Sequence, residues 1–364
     1  MDSDTKKFCA IMCIAAVLLV LALMAQSCAE ENKRRTHLGY FMKAGGFYIS
    51  SDGNQLVFDG CGHEDFAECT LYRYDRKENK LYRYVHENTS MQVMGGKYWS
   101  DSQQFLCVLV PRGQNRKQLI EEMQIAIMNP DGTGLRQLTE GPGVKCSYVL
   151  SQDGKTLVFS KGRERTEGKT LASHFDLYAR DLATGKEIQL TNLSFYEVGT
   201  PHFTPDGKHI VFDYYGVLRL PNGEDAIKFG KEYEAKYGSN FILRYPVDGS
   251  GMNRMPEPWF SHGAGSDSPI MMKDGSLYFR DTTRGHHYYR RSSNGEISEF
   301  TYAQLGIESE RYLYEMSIDP ANHWMVIVQA FHGRKGLAVE ILDIATRQRV
   351  PISLPATITN ITVH

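Results

Sequence analysis

The sequence predicts an all-β protein, a six-bladed β-propeller of four-stranded antiparallel blades preceded by an N-terminal signal or anchor segment. Three observations predict it. A Ser/Thr-x-Asp-Gly turn followed by a bulky apolar run recurs along the chain. A second turn recurs between its copies. Together they repeat about every 45–50 residues, the period of a four-stranded blade rather than of an α-helical solenoid.

The first turn is clearest in TPHFTPDGKHIVFDYYG, residues 200–216. Asp206-Gly207 is expected to supply the positive backbone dihedrals of a tight two-residue hairpin. Ile210, Val211 and Phe212 then supply a buried strand. The unit returns around Asp52-Gly53, Asp153-Gly154 and Asp274-Gly275, and in weaker form at Asp101-Ser102 and Asp319-Pro320. The second turn lies in 128–139, 179–191, 245–255, 290–301 and 342–352, each reading as strand, Gly- or Asp-containing turn, strand. Blades are therefore expected at approximately 46–92, 93–142, 143–195, 196–260, 261–305 and 306–364, after a signal or anchor over 1–28 and a linker over 29–45.

The tandem of S/T-x-D-G-K-x-[IL]-V-F with D-G-x-G-x-x-[RQ]-Q-L-T resembles the TolB-type β-propeller repeat, a WD40-like repeat. MNPDGTGLRQLT and TPHFTPDGKHIVF are close to its consensus. The resemblance covers roughly residues 45–355. Residues 29–45 are too few for the α/β domain that precedes the propeller in TolB itself, so that protein's partner contacts do not carry over.

MDSDTKK precedes an 18-residue apolar run, FCAIMCIAAVLLVLALMA, and then QSCAEEN. Small residues at Ala25 and Ser27 before Cys28 resemble a bacterial lipoprotein signal, with Cys28 lipidated. Cleavage by the ordinary signal peptidase and retention as an uncleaved anchor, with Lys33, Arg34 and Arg35 behind it, are the two alternatives. All three place the propeller outside the cytoplasm, in the periplasm or at the outer membrane or cell surface. A net charge of -2 gives no bulk attraction to nucleic acid, and no nucleic-acid-binding signature is present. Among the seven cysteines, Cys61 and Cys69 bracket a loop and are the candidate disulfide. CxxC spacing is absent, so no structural zinc is expected.

The Asp-Gly turns are expected to close one end of the channel, and the long charged loops between second and third strands to gather at the other. That second face is the candidate binding face. Arg163, Arg165, Arg284 and Arg334 lie on it with His286 and His287, as one mixed, solvated rim for an envelope protein or glycan. Residues 222–238 read as a short amphipathic helix with Tyr233 and Tyr237 on one face, either a lid over the channel or a face laid on the propeller itself. His202, His262, His286 and His287 are the residues a metal would use, as in oligogalacturonate lyases, whose propellers resemble this one in repeat type. No HxH or HxxxH pair is present, and the neighbouring arginines oppose a cation. Prolyl-oligopeptidase-like enzymes carry a similar propeller, but the chain has no GxSxG elbow, and its length leaves no room for their hydrolase domain. The expected function is a monomeric, non-enzymatic binding or scaffolding module of the cell envelope without cofactor. The alternative is a metal-dependent polysaccharide lyase or glycan hydrolase.

Overall fold

Short runs of β-branched and aromatic residues bounded by Gly and Asp become strands throughout the chain. The computed structural model describes residues 43–61, 69–99, 104–114, 118–164, 172–199, 201–221, 241–255, 258–260, 266–281, 287–300, 311–319, 321–331, 337–355 and 357–364. Within them β1 (Lys43–Ile49), β2 (Gln55–Cys61), β3 (Thr70–Asp75) and β4 (Lys80–His86) form one antiparallel sheet. A second is made of β5 (Met91–Tyr98), β6 (Phe105–Pro111), β7 (Gln124–Met128) and β8 (Arg136–Gln137). Then β9 (Val144–Leu150), β10 (Thr156–Glu164), β11 (Ala172–Asp181), β12 (Glu187–Gln189), β13 (Phe195–Val198), β14 (His202–Phe203), β15 (His209–Val217) and β16 (Ile242–Pro246) share an eight-stranded sheet. Two four-stranded sheets follow. One is β17 (Ser266–Met271), β18 (Leu277–Asp281), β19 (His287–Arg291) and β20 (Ile297–Phe300); the other is β21 (Arg311–Ile318), β22 (Trp324–Phe331), β23 (Leu337–Asp343) and β24 (Arg349–Pro351). Finally β25 (Ile358–Val363) returns to pair parallel with β4, as a fifth strand on the first sheet.

The chain is an all-β propeller. The repeats predict six separate sheets, whereas hydrogen bonding joins the described strands into five, four of single-blade form and one double. The junction is local. β13 and β14 are the two halves of one innermost strand, both paired with β15 and separated at Gly199–Pro201, where Pro201 has no N–H to donate. Freed from the regular ladder, β13 reaches β11 through the single pair Phe175↔Phe195. The second turn of this unit also departs from expectation, because no strand is described after Pro246. The chain makes turns there, Met252 N–H to the Gly249 carbonyl and Arg254 N–H to that of Gly251, and Pro256 and Pro258 remove ladder donors.

The Asp-Gly turns also differ from the expected two-residue form. Thr204 N–H donates to the His209 carbonyl and Gly207 N–H to that of Thr204, which closes a four-residue loop. Only the glycine is left-handed, with φ of 66° at Gly207 and 71° at both Gly53 and Gly154. The aspartate works through its carboxylate instead. Asp206 Oδ1 accepts from the Thr204 hydroxyl (2.5 Å) and Lys208 N–H (3.0 Å), and Asp153 accepts equivalently from Ser151 and Lys155. These bonds hold both carboxylates below their usual range. At Asp319 the same role survives without Gly, the left-handed position passing to Asn322 (φ 63°). A Cβ at Gly207 would meet nothing within 4 Å. Gly207→Val is therefore expected to cost only backbone strain, about 1–2 kcal/mol. An unchanged melting temperature would count against the left-handed turn.

The apolar core lies between sheets. Val57, Leu71 and Tyr84 of the first sheet meet Val93, Tyr98 and Phe105 of the second. Leu106 and Ile127 of the second meet Tyr148 and Phe159 of the next. The ring closes where Phe47, Leu56 and Phe58 meet Val326, Val328 and Val339.

Candidate functional site

Every innermost strand for which the pairing is described in full carries a bulge, and carboxylates hold three of these bulges. The register slips between Gly45 and Tyr48 in β1, Met94 and Lys97 in β5, Asp267 and Ile270 in β17 and Leu313 and Glu315 in β21. A bulge turns backbone N–H groups out of the ladder, and these need acceptors. Both oxygens of Asp59, on β2, accept from Gly95 N–H at 2.7 and 2.9 Å. Glu315 accepts from Gly46 and Phe47 N–H at 3.1 and 2.8 Å, and Asp213 from Ser268 N–H at 3.2 Å. Each bond crosses to the following sheet, so these acids clasp the ring. Burial pushes Asp59 up to about 7, with Glu315 nearby adding to the rise. Burial likewise raises Glu315.

The rungs just beyond the bulges enclose a cavity of about 240 Å³ on the channel axis. Its wall takes one stretch from each of β1, β5, β9, β14, β17 and β21, ending in Ser151, Thr204, Gly207, Lys273 and Asn322 of the first turns. One rung places Tyr48, Lys97, Val149, His202 and Ile270 at equivalent positions, opposite Val57, Leu106, Val158, Val211 and Tyr278. Lys97 Nζ is buried without a hydrogen-bond partner and lies 5.5 Å from the centre of the Tyr48 ring. Burial pulls this amine down to about 8. Burial also drives His202 well below the ordinary imidazole range, and the Lys97 charge adds to the effect, so at neutral pH it is an uncharged imidazole. Asp319, also on the wall, is engaged by its own turn through Ala321, His323 and Trp324 N–H.

The cavity lies at the end where the Asp-Gly turns were expected to close the channel. The turns are wider than two residues and stand around the opening instead of across it. Of the histidines, His202 faces this cavity, whereas His287 is exposed on a third strand at the long-loop end, its Nδ1 2.6 Å from Glu299 Oε1. The two are not brought together, and among the described residues no group of three His, Cys, Asp or Glu is disposed to hold a metal. Arg163 lies in β10 opposite Ser173, with backbone alone described. Cys28, Arg165, Tyr233, Tyr237, His262, Arg284, His286 and Arg334 lie outside the described residues. Cys61 and Cys69 are joined in a disulfide across residues 62–68, with Cα atoms 3.9 Å apart. Non-reducing peptide mapping of the oxidised protein is expected to recover the two as one linked fragment; two free thiols would remove the pair.

Sequence reasoning missed Lys97, Asp59 and Glu315. The visible signal was a charge inside an otherwise apolar innermost strand, as in GGKYW at 95–99.

Fold and site together define a β-propeller with a walled axial cavity. No known family model matches the chain. Over 120 residues it is 28% identical to dipeptidyl-peptidase 5 of Porphyromonas endodontalis, a stretch covering 32% of this chain and 16% of that protein. Among solved structures it is similar to TolB from Acinetobacter baumannii (TM-score 0.51, 17% identity, 79% of this chain and 60% of that one). It is also similar to oligogalacturonate lyase from Vibrio parahaemolyticus (0.50, 13%, 86% and 78%) and to puromycin hydrolase (0.52, 14%, 85% and 47%). At these identities the likeness is one of fold. The chain spans well under two thirds of the length of dipeptidyl-peptidase 5, and 60% of TolB.

Proposed function

We propose that the chain is a six-bladed, TolB-like propeller acting as a non-enzymatic binding or scaffolding module of the cell envelope. The double sheet counts as two blades on this reading, because one residue pair joins its halves. Apolar clusters at each of the successive seams support it, including the one that returns from β21–β24 to β1. The apolar run over 8–25, followed by Cys28, supports export and anchoring, and among the described residues no helix is long and apolar enough to cross a membrane.

One observation carries the binding reading. Asp59 and Glu315 are committed to bulge N–H groups of the neighbouring sheet and Asp319 on the cavity wall to its own turn, so these acids build the ring and its turns. An envelope protein or glycan is then met at the long-loop face, to which the sequence assigns charged loops from several blades. In vivo crosslinking of the full chain through residues 284, 286 and 334 should trap one recurrent envelope partner, and crosslinking through Lys208 at the turn end should not. Equal trapping from both ends would reject this face. The alternative, a metal-dependent polysaccharide lyase or glycan hydrolase, has His202 as its described cavity ligand, and the adjacent Lys97 charge opposes a cation there. Stoichiometric Mn, Zn or Ca in the purified protein would favour the enzyme.

A further inference from the structure

Among the described residues, Lys145 and Lys97 both bury their ammonium groups, and the two are built differently. Lys145 donates to the carbonyls of Gly141 (2.6 Å), Gly143 (3.2 Å) and Met123 (3.3 Å), which is how a folded chain accommodates an ammonium for structural ends. Lys97 has no such cradle. Its Nζ is buried, makes no hydrogen bond and lies beside the Tyr48 ring on the cavity wall. An ammonium left in this state costs stability, because its hydration is lost and nothing among the described residues replaces it. An unsatisfied ammonium on a side chain that lines a cavity marks a site where a ligand completes the arrangement.

From the cavity and this unsatisfied ammonium we infer that the axial channel binds a small organic carboxylate. Lys97 is its counter-ion, and the Tyr48 ring, Val149 and Ile270 receive its apolar body. Lys97 supplies the buried ammonium of the wall, Lys273 is exposed in a first turn and Asp319 is engaged by its own turn, so beside the uncharged imidazole the buried charge suits one carboxylate. Among the described residues the cavity wall includes no arginine, whose forked donors would favour a phosphate dianion. The imidazole of His202 can donate one further hydrogen bond to a carboxylate oxygen. A volume of 240 Å³ holds roughly eight waters at about 30 Å³ each, or a ligand of benzoate to phenylpropionate size. The site lies at the end opposite the long loops, so it stands apart from the partner reading above. Either can fail alone.

The test uses the full chain in detergent with benzoate, phenylacetate, phenylpropionate and hexanoate, each against its neutral amide, by thermal unfolding and calorimetry. At least one acid is expected to raise the melting temperature by about 3 °C at a hundredfold excess over its Kd, with its amide inert. Lys97→Met, of similar volume and uncharged, is expected to melt higher than wild type without ligand and to lose the acid-dependent shift. Crosslinking at the long-loop face should be unchanged in this variant. Three results would each overturn the inference: no acid in the panel exceeding its amide on the wild-type protein, Lys97→Met keeping the acid response, or Lys97→Met melting lower without ligand, which would mean that the chain already satisfies the ammonium. The wild-type comparison of acid with amide decides the matter even if the variant fails to fold.

Discussion

Gly53→Val is expected to lower stability by about 4 kcal/mol, well beyond the loss at Gly207. Both glycines are left-handed, so both variants incur backbone strain. At Gly53 the new Cβ would also overlap the indole of Trp324. That ring leads β22 and covers the first turn of β1–β2, and Arg76 secures the arrangement by donating to the Gly53 carbonyl and lying 6.0 Å over the indole. The clash thus falls on the seam that closes the ring. Urea unfolding of the two variants should show a lower midpoint for Gly53→Val with an unchanged slope. Equal losses would show that Trp324 moves aside freely and takes no part in closure.

The second large effect is a pH dependence and its removal. Because Asp59 is raised to about 7 in the folded chain, the folded state holds a proton there that the unfolded state releases near 3.8. Stability from this group is complete below about pH 4 and is lost as pH rises through 7, about 4 kcal/mol in all. Glu315 and Asp176, the latter raised to about 6 by burial, act in the same direction. Turn carboxylates such as Asp153 and Asp206 act oppositely, but only at the acid end, where protonation breaks their turn bonds. Asp59→Asn keeps an oxygen for Gly95 N–H and has no proton to lose. Its stability should therefore fall less than that of wild type between pH 4.5 and 7.5 in urea titrations. Parallel profiles would mean that Asp59 is ionised throughout.

The fold was legible because its signal is periodic. Leu56-Val57-Phe58, Leu157-Val158-Phe159 and Ile210-Val211-Phe212 are fully buried strands where the repeat placed them, and Asp-Gly marked four of the six first turns. Turn length was less legible, since a Gly with positive φ serves two-residue and four-residue loops alike, and the aspartate's role lay in its side chain. The merging of two blades was hidden because it depends on one long-range pair beside Pro201. The axial cavity was hidden for a similar reason. Tyr48 and Lys97 are 49 positions apart and His202 lies a further 105 along the chain, and only the ring brings them to one rung. Attention to exposed charged loops also led away from a lone lysine between apolar neighbours.

The parallel pairing of β25 with β4 gives the ring an order in time. Each four-stranded sheet is made from neighbouring sequence and can form while later residues are still being added, at about 5–20 residues per second. The seam between the last sheet and the first must wait for residues separated by some 270 positions, as in the Glu315 bonds to Gly46 and Phe47. The strand at Ile358–Val363, laid along Leu81–His86, is later still. During synthesis the molecule is therefore an open arc whose two end sheets expose apolar faces made for each other, and it becomes a closed ring only when residues 358–363 have arrived.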